Sequence, residues 1–382
     1  MQPPIRPELR GRTAYGAPQL DVPVRLNTNE NSYPVPPQVA TAIVEAVAGV
    51  VHDLNRYPDR EFSALREDLA GYLNSHTAGL EPLAAEEIWA GNGSNEVLQH
   101  IFQTFGGPGR SALGFTPAYS MHPLIAEGTH TAWVDGLRGT GPDTPFDLSA
   151  ELVAAQLREH RPDLVFLVSP NNPTGTALGL DVVTAALEAA RDELGGATMV
   201  VVDEAYAEFA RSGSPSALTL LAGRHGPNLI VTRTMSKDFA LAGARLGYLA
   251  ADPAVCDAFR LVRLPYHLSS LTQAAARAAL AHADLLLGTV EAIKTQRDRI
   301  VAELPALGLR AVPSDANFVL FGHLDDAPAT WQGLLDAGVL IRDVGIAHHL
   351  RVTAGTESET TAFLTALAQT LAGGSGDPAG ER

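Results

Sequence analysis

The 382-residue sequence contains a single cysteine, Cys256, so an internal disulfide and a cysteine-built metal cluster are both excluded. Alanine, valine and phenylalanine surround it, which reads as a small buried helix residue rather than a nucleophile. No apolar run approaches the ~20 residues of a membrane span. The N-terminal stretch MQPPIRPELRGR lacks the apolar core of a secretory leader. There is no excess of basic charge either. A net charge of −16 argues against nucleic acid and against an anionic membrane surface as partners. Internal repeats are also lacking. What remains is an acidic chain, expected in the cytoplasm and long enough for one large domain and a smaller one.

Short apolar runs punctuate the first two thirds. Ser111–Phe115, Leu164–Ser169, Thr198–Val202, Leu229–Val231 and Leu246–Ala251 read as strands. Helical spacing follows Pro36-Pro37 through Val39, Ile43, Val44 and Val47, and recurs over Phe62–Leu73 and within Thr176–Leu194. Alternation of this kind predicts an α/β fold, with a mainly parallel, seven-stranded-type sheet covered by helices. Ligands of such sheets lie at the carboxyl ends of the strands. Further on, the pattern predicts one long helix over Ala274–Leu304, a strand Asn317–Phe321 and a helix near Trp331–Ala337. Strands Val339–Arg342 and Leu350–Thr353 follow, then a helix Glu357–Leu371. The expected division is an arm over 1–36, a large domain over 37–285, a small α/β domain over 286–371 and a flexible tail over 372–382.

Three strand ends carry chemically telling residues. Lys237 follows the strand end at Val231 and a turn holding Thr232, Thr234 and Ser236; Met235, Phe239, Ala240 and Leu241 flank it, and Arg245 comes eight positions later. Burial and a neighbouring cation lower a lysine's pKa and free a nucleophilic amine. Hydroxyls and an arginine fork suit a phosphate. An amine beside a phosphate site points to pyridoxal 5'-phosphate (PLP), although a lone lysine is more often solvated. Asp203, at another strand end, suits a pyridinium nitrogen; a turn or helix cap is the plainer role. Asn172 and Tyr206 suit the phenolic oxygen, with a turn asparagine and a surface aromatic as the alternatives. Gly91-Asn92-Gly93-Ser94 before a helix offers backbone N–H groups to a phosphate. His348-His349 could suggest a metal but has no further ligands at suitable spacing, so no metal site is expected.

NNPTG, then D-x-x-Y, then S-K with an arginine eight residues on, resembles the fold-type I PLP aminotransferases. LNTNEN, NRYPD, GNGSNEVL, AYSMHPL, TRTMSK, LPYHLSSLTQAAARAAL, SDANFVLF, IRDVGI and LRVTAGT are similar to the histidinol-phosphate aminotransferases of actinobacterial type, from about Leu9 to Leu371. This resemblance implies a homodimer that exchanges amino groups between histidinol phosphate and 2-oxoglutarate. It implies that Lys237 holds the cofactor's aldehyde, Asp203 the ring nitrogen, and Asn172 and Tyr206 the phenolic oxygen. Ser94, Asn95, Thr234, Ser236 and Arg245 would hold the phosphate, with Tyr119 against the ring and Tyr57 entering from the other subunit. Arg351, Arg342 and Tyr15 would bind the substrate, with Asn95 touching it. Asp238, where many relatives have alanine, would raise the lysine's pKa only if it pointed inward, and side-chain alternation points it away. Ser32 stands where many have proline. The rival readings are an aromatic amino-acid aminotransferase, a PLP-dependent lyase or decarboxylase, and a non-catalytic binding protein.

Overall fold

A computed structural model describes residues 3–6, 10–11, 16–139, 146–223 and 226–374. In chain order the strands are β1 (Val24–Arg25), β2 (Ile88–Gly91), β3 (Ser111–Thr116), β4 (Ala132–Leu137), β5 (Leu164–Val168) and β6 (Met199–Asp203). They continue as β7 (Leu229–Thr234), β8 (Gly247–Ala251), β9 (Arg310–Ala311), β10 (Phe318–Gly322), β11 (Val339–Leu340) and β12 (Leu350–Thr353). The helices are α1 (Pro37–Val51), α2 (Ser63–His76), α3 (Ser94–Phe105), α4 (Met121–Gly128), α5 (Ala150–His160) and α6 (Leu180–Glu188). After them come α7 (Pro253–Phe259), α8 (Ser270–Leu280), α9 (Ala283–Glu303), α10 (Ala327–Asp336) and α11 (Glu357–Gly374).

The main sheet has seven strands in the order β2-β8-β7-β6-β5-β3-β4. All are mutually parallel except β8, which runs antiparallel to β2 and β7. Strands β5 and β6 are buried at every residue, which is why they read as unbroken Val/Leu/Phe runs rather than alternating ones. The parallel strands β3, β5, β6 and β7 therefore end on one edge. Because β8 is reversed, its first residue, Gly247, lies on that same edge, paired with Gly91 at the end of β2. A three-stranded antiparallel sheet, β12-β10-β9, and the parallel pair β1-β11 form a second layer system.

Buried apolar side chains fall into two clusters. One covers the seven-stranded sheet and ends at Leu286; the other takes in Val290, Ile293 and Ile300 with the small sheets and α11. Helix α9 carries both, since Leu286, Val290, Ile293, Arg297 and Ile300 recur on one face at helical spacing.

The expected single helix over Ala274–Leu304 is instead α8 and α9, separated at Ala281-His282. Neither glycine nor proline marks the break. Ser269 caps α8 by accepting from the Thr272 N–H, so the helix begins at Ser270, four residues before the expected start. Strand β4, an edge strand with largely exposed side chains, and helix α5 carry no strong apolar period and were not anticipated. Helix α11 runs to Gly374, so residues 372–374 are helical rather than tail; 375–382 lie outside the described residues.

Gly247 joins sheet and site. A Cβ there would sit 2.3 Å from the backbone nitrogen of Ser94, which opens α3. Neither backbone can yield cheaply. Gly247→Ala should cost about 1–3 kcal/mol by overpacking; thermal unfolding measures it, and an unchanged Tm contradicts it.

Candidate active site

The edge where β3, β5, β6 and β7 end opens into a cavity of about 720 Å³. Its lining includes Ser94, Asn95, Tyr119, Asn172, Asp203, Tyr206, Thr234, Ser236, Lys237, Arg245, Arg342 and Arg351. Residues separated by more than two hundred positions meet here because parallel strands deliver their following turns to one place.

Strand alternation sorts the tips. Asp203, Thr234 and Ser236 face the cavity. Glu204 and Arg233, one residue out of phase, line a separate cavity of about 560 Å³ on the other side. There Arg233 donates to Glu204 at 2.7 Å, and its other nitrogen contacts Glu208.

Lys237 is half-buried, and its amine donates to the Thr28 carbonyl at 3.1 Å rather than to a carboxylate. Desolvation pushes its pKa down to about 8; Glu30 opposes the shift, and Arg351 and Arg245 add to it. The sequence has one other lysine, Lys294, which is ion-paired with Glu291 at 2.8 Å on α9. A half-buried amine of lowered pKa is therefore a property of Lys237.

Asp203 is buried. Its Oδ2 lies 3.1 Å from His122 Nε2, whose N–H donates to it, and its Oδ1 accepts from Thr232 Oγ1 at 3.1 Å. A carboxylate held from behind in this way is fixed in orientation. His122 was not singled out from sequence; a lone histidine within AYSMHPL carries no spacing signal. Tyr119 stands edge-on to His122, ring centroids 5.4 Å apart, and its hydroxyl donates to Asn95 Oδ1 at 3.2 Å.

Arg245 adopts a left-handed backbone (φ 56°) just before β8. Gly93, also left-handed (φ 78°), lies against it: a Cβ on Gly93 would stand 2.4 Å from Arg245 Nη2. The opening N–H groups of α3 lack intrahelical partners. With Arg245, Thr234 and Ser236 beside them, they form a cradle of the donor type that an anionic phosphate requires. The residues thus fit PLP: a half-buried amine of lowered pKa, a braced carboxylate and a phosphate cradle share one cavity.

Several assigned residues bond to one another. Asn172 Oδ1 accepts from Arg351 Nη1 at 2.6 Å, and Arg351 Nη2 donates to the Asn27 carbonyl at 2.9 Å. Tyr206 is no surface aromatic: it is buried edge-on against Phe318, and its hydroxyl accepts from Asn29 Nδ2 at 3.0 Å. The stretch Asn27–Glu30 is therefore a strap contacting Lys237, Arg351 and Tyr206 at once, a role its sequence did not reveal. Tyr57 lies outside this cavity, 79% exposed and stacked on Tyr266 at 4.4 Å. Tyr15 lies outside the described residues. Cys256 is buried, which pushes its thiol up to about 12 and leaves it inert. His348 and His349 each bond a backbone carbonyl through Nδ1.

Asp238 does not act on the amine. It is buried near Glu208, Arg233, Tyr72 and Tyr248 without a side-chain hydrogen-bond partner, and desolvation raises its pKa well above the usual carboxylate range. A carboxyl raised on folding weakens the fold as pH climbs past its unfolded value, near 4. Asp238→Ala should therefore raise Tm, and more at pH 8 than at pH 4. An equal shift at both values contradicts this.

Comparison with known proteins agrees with the geometry. The family profile of aminotransferase class I and II matches residues 22–367. Histidinol-phosphate aminotransferase of Frankia casuarinae is 63% identical over 97% of this chain and 91% of its own length. That of Paenarthrobacter aurescens is 61% identical over 97% of this chain and 95% of its own length. The histidinol-phosphate aminotransferase of Sinorhizobium meliloti, solved in complex with pyridoxal-5'-phosphate, superposes with a TM-score of 0.79 at 27% identity, covering 92% of both chains. With profile, sequence and fold in agreement over nearly its whole length, the chain belongs to the aminotransferase class I and II family.

Proposed function

We propose that the cavity around Lys237 performs PLP-dependent transamination between histidinol phosphate and 2-oxoglutarate, giving imidazole acetol phosphate and glutamate in histidine biosynthesis. The observation that carries the reading is a half-buried lysine amine of lowered pKa sharing one cavity with Asp203, Arg245 and Arg351. Relatives at 61–63% identity bear the histidinol-phosphate name, which favours the phosphorylated substrate over an aromatic amino acid.

PLP, when bound, draws electrons from the substrate's Cα through its protonated ring. Asp203, braced by His122 and Thr232, holds that ring proton in place. With PLP bound, Lys237 would hold its aldehyde and, as a neutral amine, would move the substrate's Cα proton. A pKa near 8 leaves a useful neutral fraction for this at working pH. Asn172 and Tyr206 hold the phenolic oxygen, and Ser94, Asn95, Thr234, Ser236 and Arg245 hold the phosphate. Arg351, with Arg342 and Tyr15, accepts the carboxylate of glutamate in one half-reaction and the phosphate of the partner substrate in the other, since a guanidinium fork suits both.

The active unit is a cytoplasmic homodimer in which Tyr57 enters the partner's cavity. The support is an apolar surface around Tyr57 and Tyr266, where Leu261 and Leu264 are 86% and 75% exposed. Glu61 anchors this surface by pairing with Arg260 at 2.9 Å and Arg263 at 2.6 Å. We divide the chain into an arm over 1–36, a large domain over 37–285 and a small domain over 286–371; most of the first apolar core lies in the large domain and most of the second in the small one, while Leu286 joins the first and Leu26, Tyr206 and Phe209 join the second.

Lys237→Ala should abolish the visible absorbance of the lysine-linked cofactor and nearly all turnover; a variant retaining both rules out the assignment. In the unsubstituted apoprotein, the rate of PLP capture should rise with pH through a midpoint near 8, because only the neutral amine condenses. The double variant Leu261→Asp, Leu264→Asp should sediment as a monomer and lose activity. A monomer with full activity would sink the proposed role of Tyr57.

A further inference from the structure

Lys237, Arg245, Arg342 and Arg351 make the cavity strongly cationic. Three carboxylates also line it. Asp203 is engaged by His122 and Thr232, and Asp343 Oδ1 accepts the Gly345 N–H at 2.8 Å. The third is Glu30, exposed, whose Oε2 accepts from the neighbouring Thr28 hydroxyl at 2.8 Å. The Thr28 carbonyl in turn accepts from the reactive amine of Lys237. Glu30 is two residues farther on, so its Cα lies within about 7 Å of that of Thr28. It is also the acid whose charge acts on Lys237.

Building on the reaction proposed above, we infer that Glu30 is a specificity residue that receives the basic five-membered ring of the substrate. The argument is one of assignment by charge. The substrate has three handles. Its amine reacts at the Lys237 end, and its phosphate requires the Arg351 and Arg342 guanidinium groups. The ring remains, a weak base with N–H donors, and it needs an acceptor or a negative charge. Glu30 supplies one on the strap that already touches the amine, and neither a guanidinium nor a backbone N–H occupies it among the described residues. The same carboxylate repels the side-chain carboxylate of glutamate, which takes the ring's place in the other half-reaction. One residue thus discriminates in opposite directions between the two partners.

Glu30→Gln in the holoenzyme tests this. The KM for histidinol phosphate should rise about tenfold, the loss of one charge-assisted hydrogen bond, while the KM for glutamate stays constant or falls. An analogue with phenyl in place of the imidazole should bind parent and variant equally. The cofactor spectrum should be intact, and the pH midpoint for PLP capture by the apoprotein should drop. If both KM values rise together, or neither moves, Glu30 has no role in recognising the ring. If the unsubstituted protein fails to convert histidinol phosphate while still exchanging glutamate with 2-oxoglutarate, the proposed reaction itself fails, and that outcome is separate from any effect at position 30.

Discussion

Removal of one amine from water is the constraint on which this structure turns. A lysine half-buried just past β7 loses hydration that Glu30 only partly offsets, and its pKa falls to about 8. The seven-stranded sheet encloses that tip. Its central strands are buried on both faces, and its edge gathers the turns after β3, β5, β6 and β7 around the lysine. Acidic groups close by are turned aside: Glu204 and Asp238 fall out of phase with the cavity, where Arg233 and burial dispose of their charge.

The strap Asn27–Glu30 is the second organising element. It follows β1, which pairs with β11, and Thr353 on β12 donates its N–H to the Leu26 carbonyl. Its backbone carbonyls meet Arg351 and Lys237, the Asn29 side chain meets Tyr206 and Thr353, and Asn317 donates to the Asn29 carbonyl. The N-terminal segment thus links the two apolar cores through polar contacts. Such contacts orient groups without adding much net stability, because each replaces a bond to water.

In the proposed reaction, a phosphate, a ring and a carboxylate would be recognised in one cavity through a division of labour. Arginines from the second core face the strand tips of the first, so charge for the substrate comes from one side and chemistry from the other. The braced Asp203 shows how fixed dipoles replace solvent: His122 and Thr232 each occupy one of its oxygens and leave its orientation no freedom.

Read alone, the sequence determined the parallel sheet, because unbroken Val/Leu runs such as VFLV and VVVD have no other good burial. It also determined the residue types of the site, since NNPTG, D-x-x-Y and S-K sit in turns that such a sheet brings together. Only tertiary structure decided what depends on contacts between distant residues. Examples are the break between α8 and α9, the pairing of Arg351 with Asn172 across 179 positions, and His122 behind Asp203 across 81. The orientation of Asp238 away from Lys237 was anticipated from side-chain alternation, but its burial without a side-chain partner was not. Periodicity records whether a residue is covered; which atom covers it depends on how the two cores meet, and no local pattern encodes that.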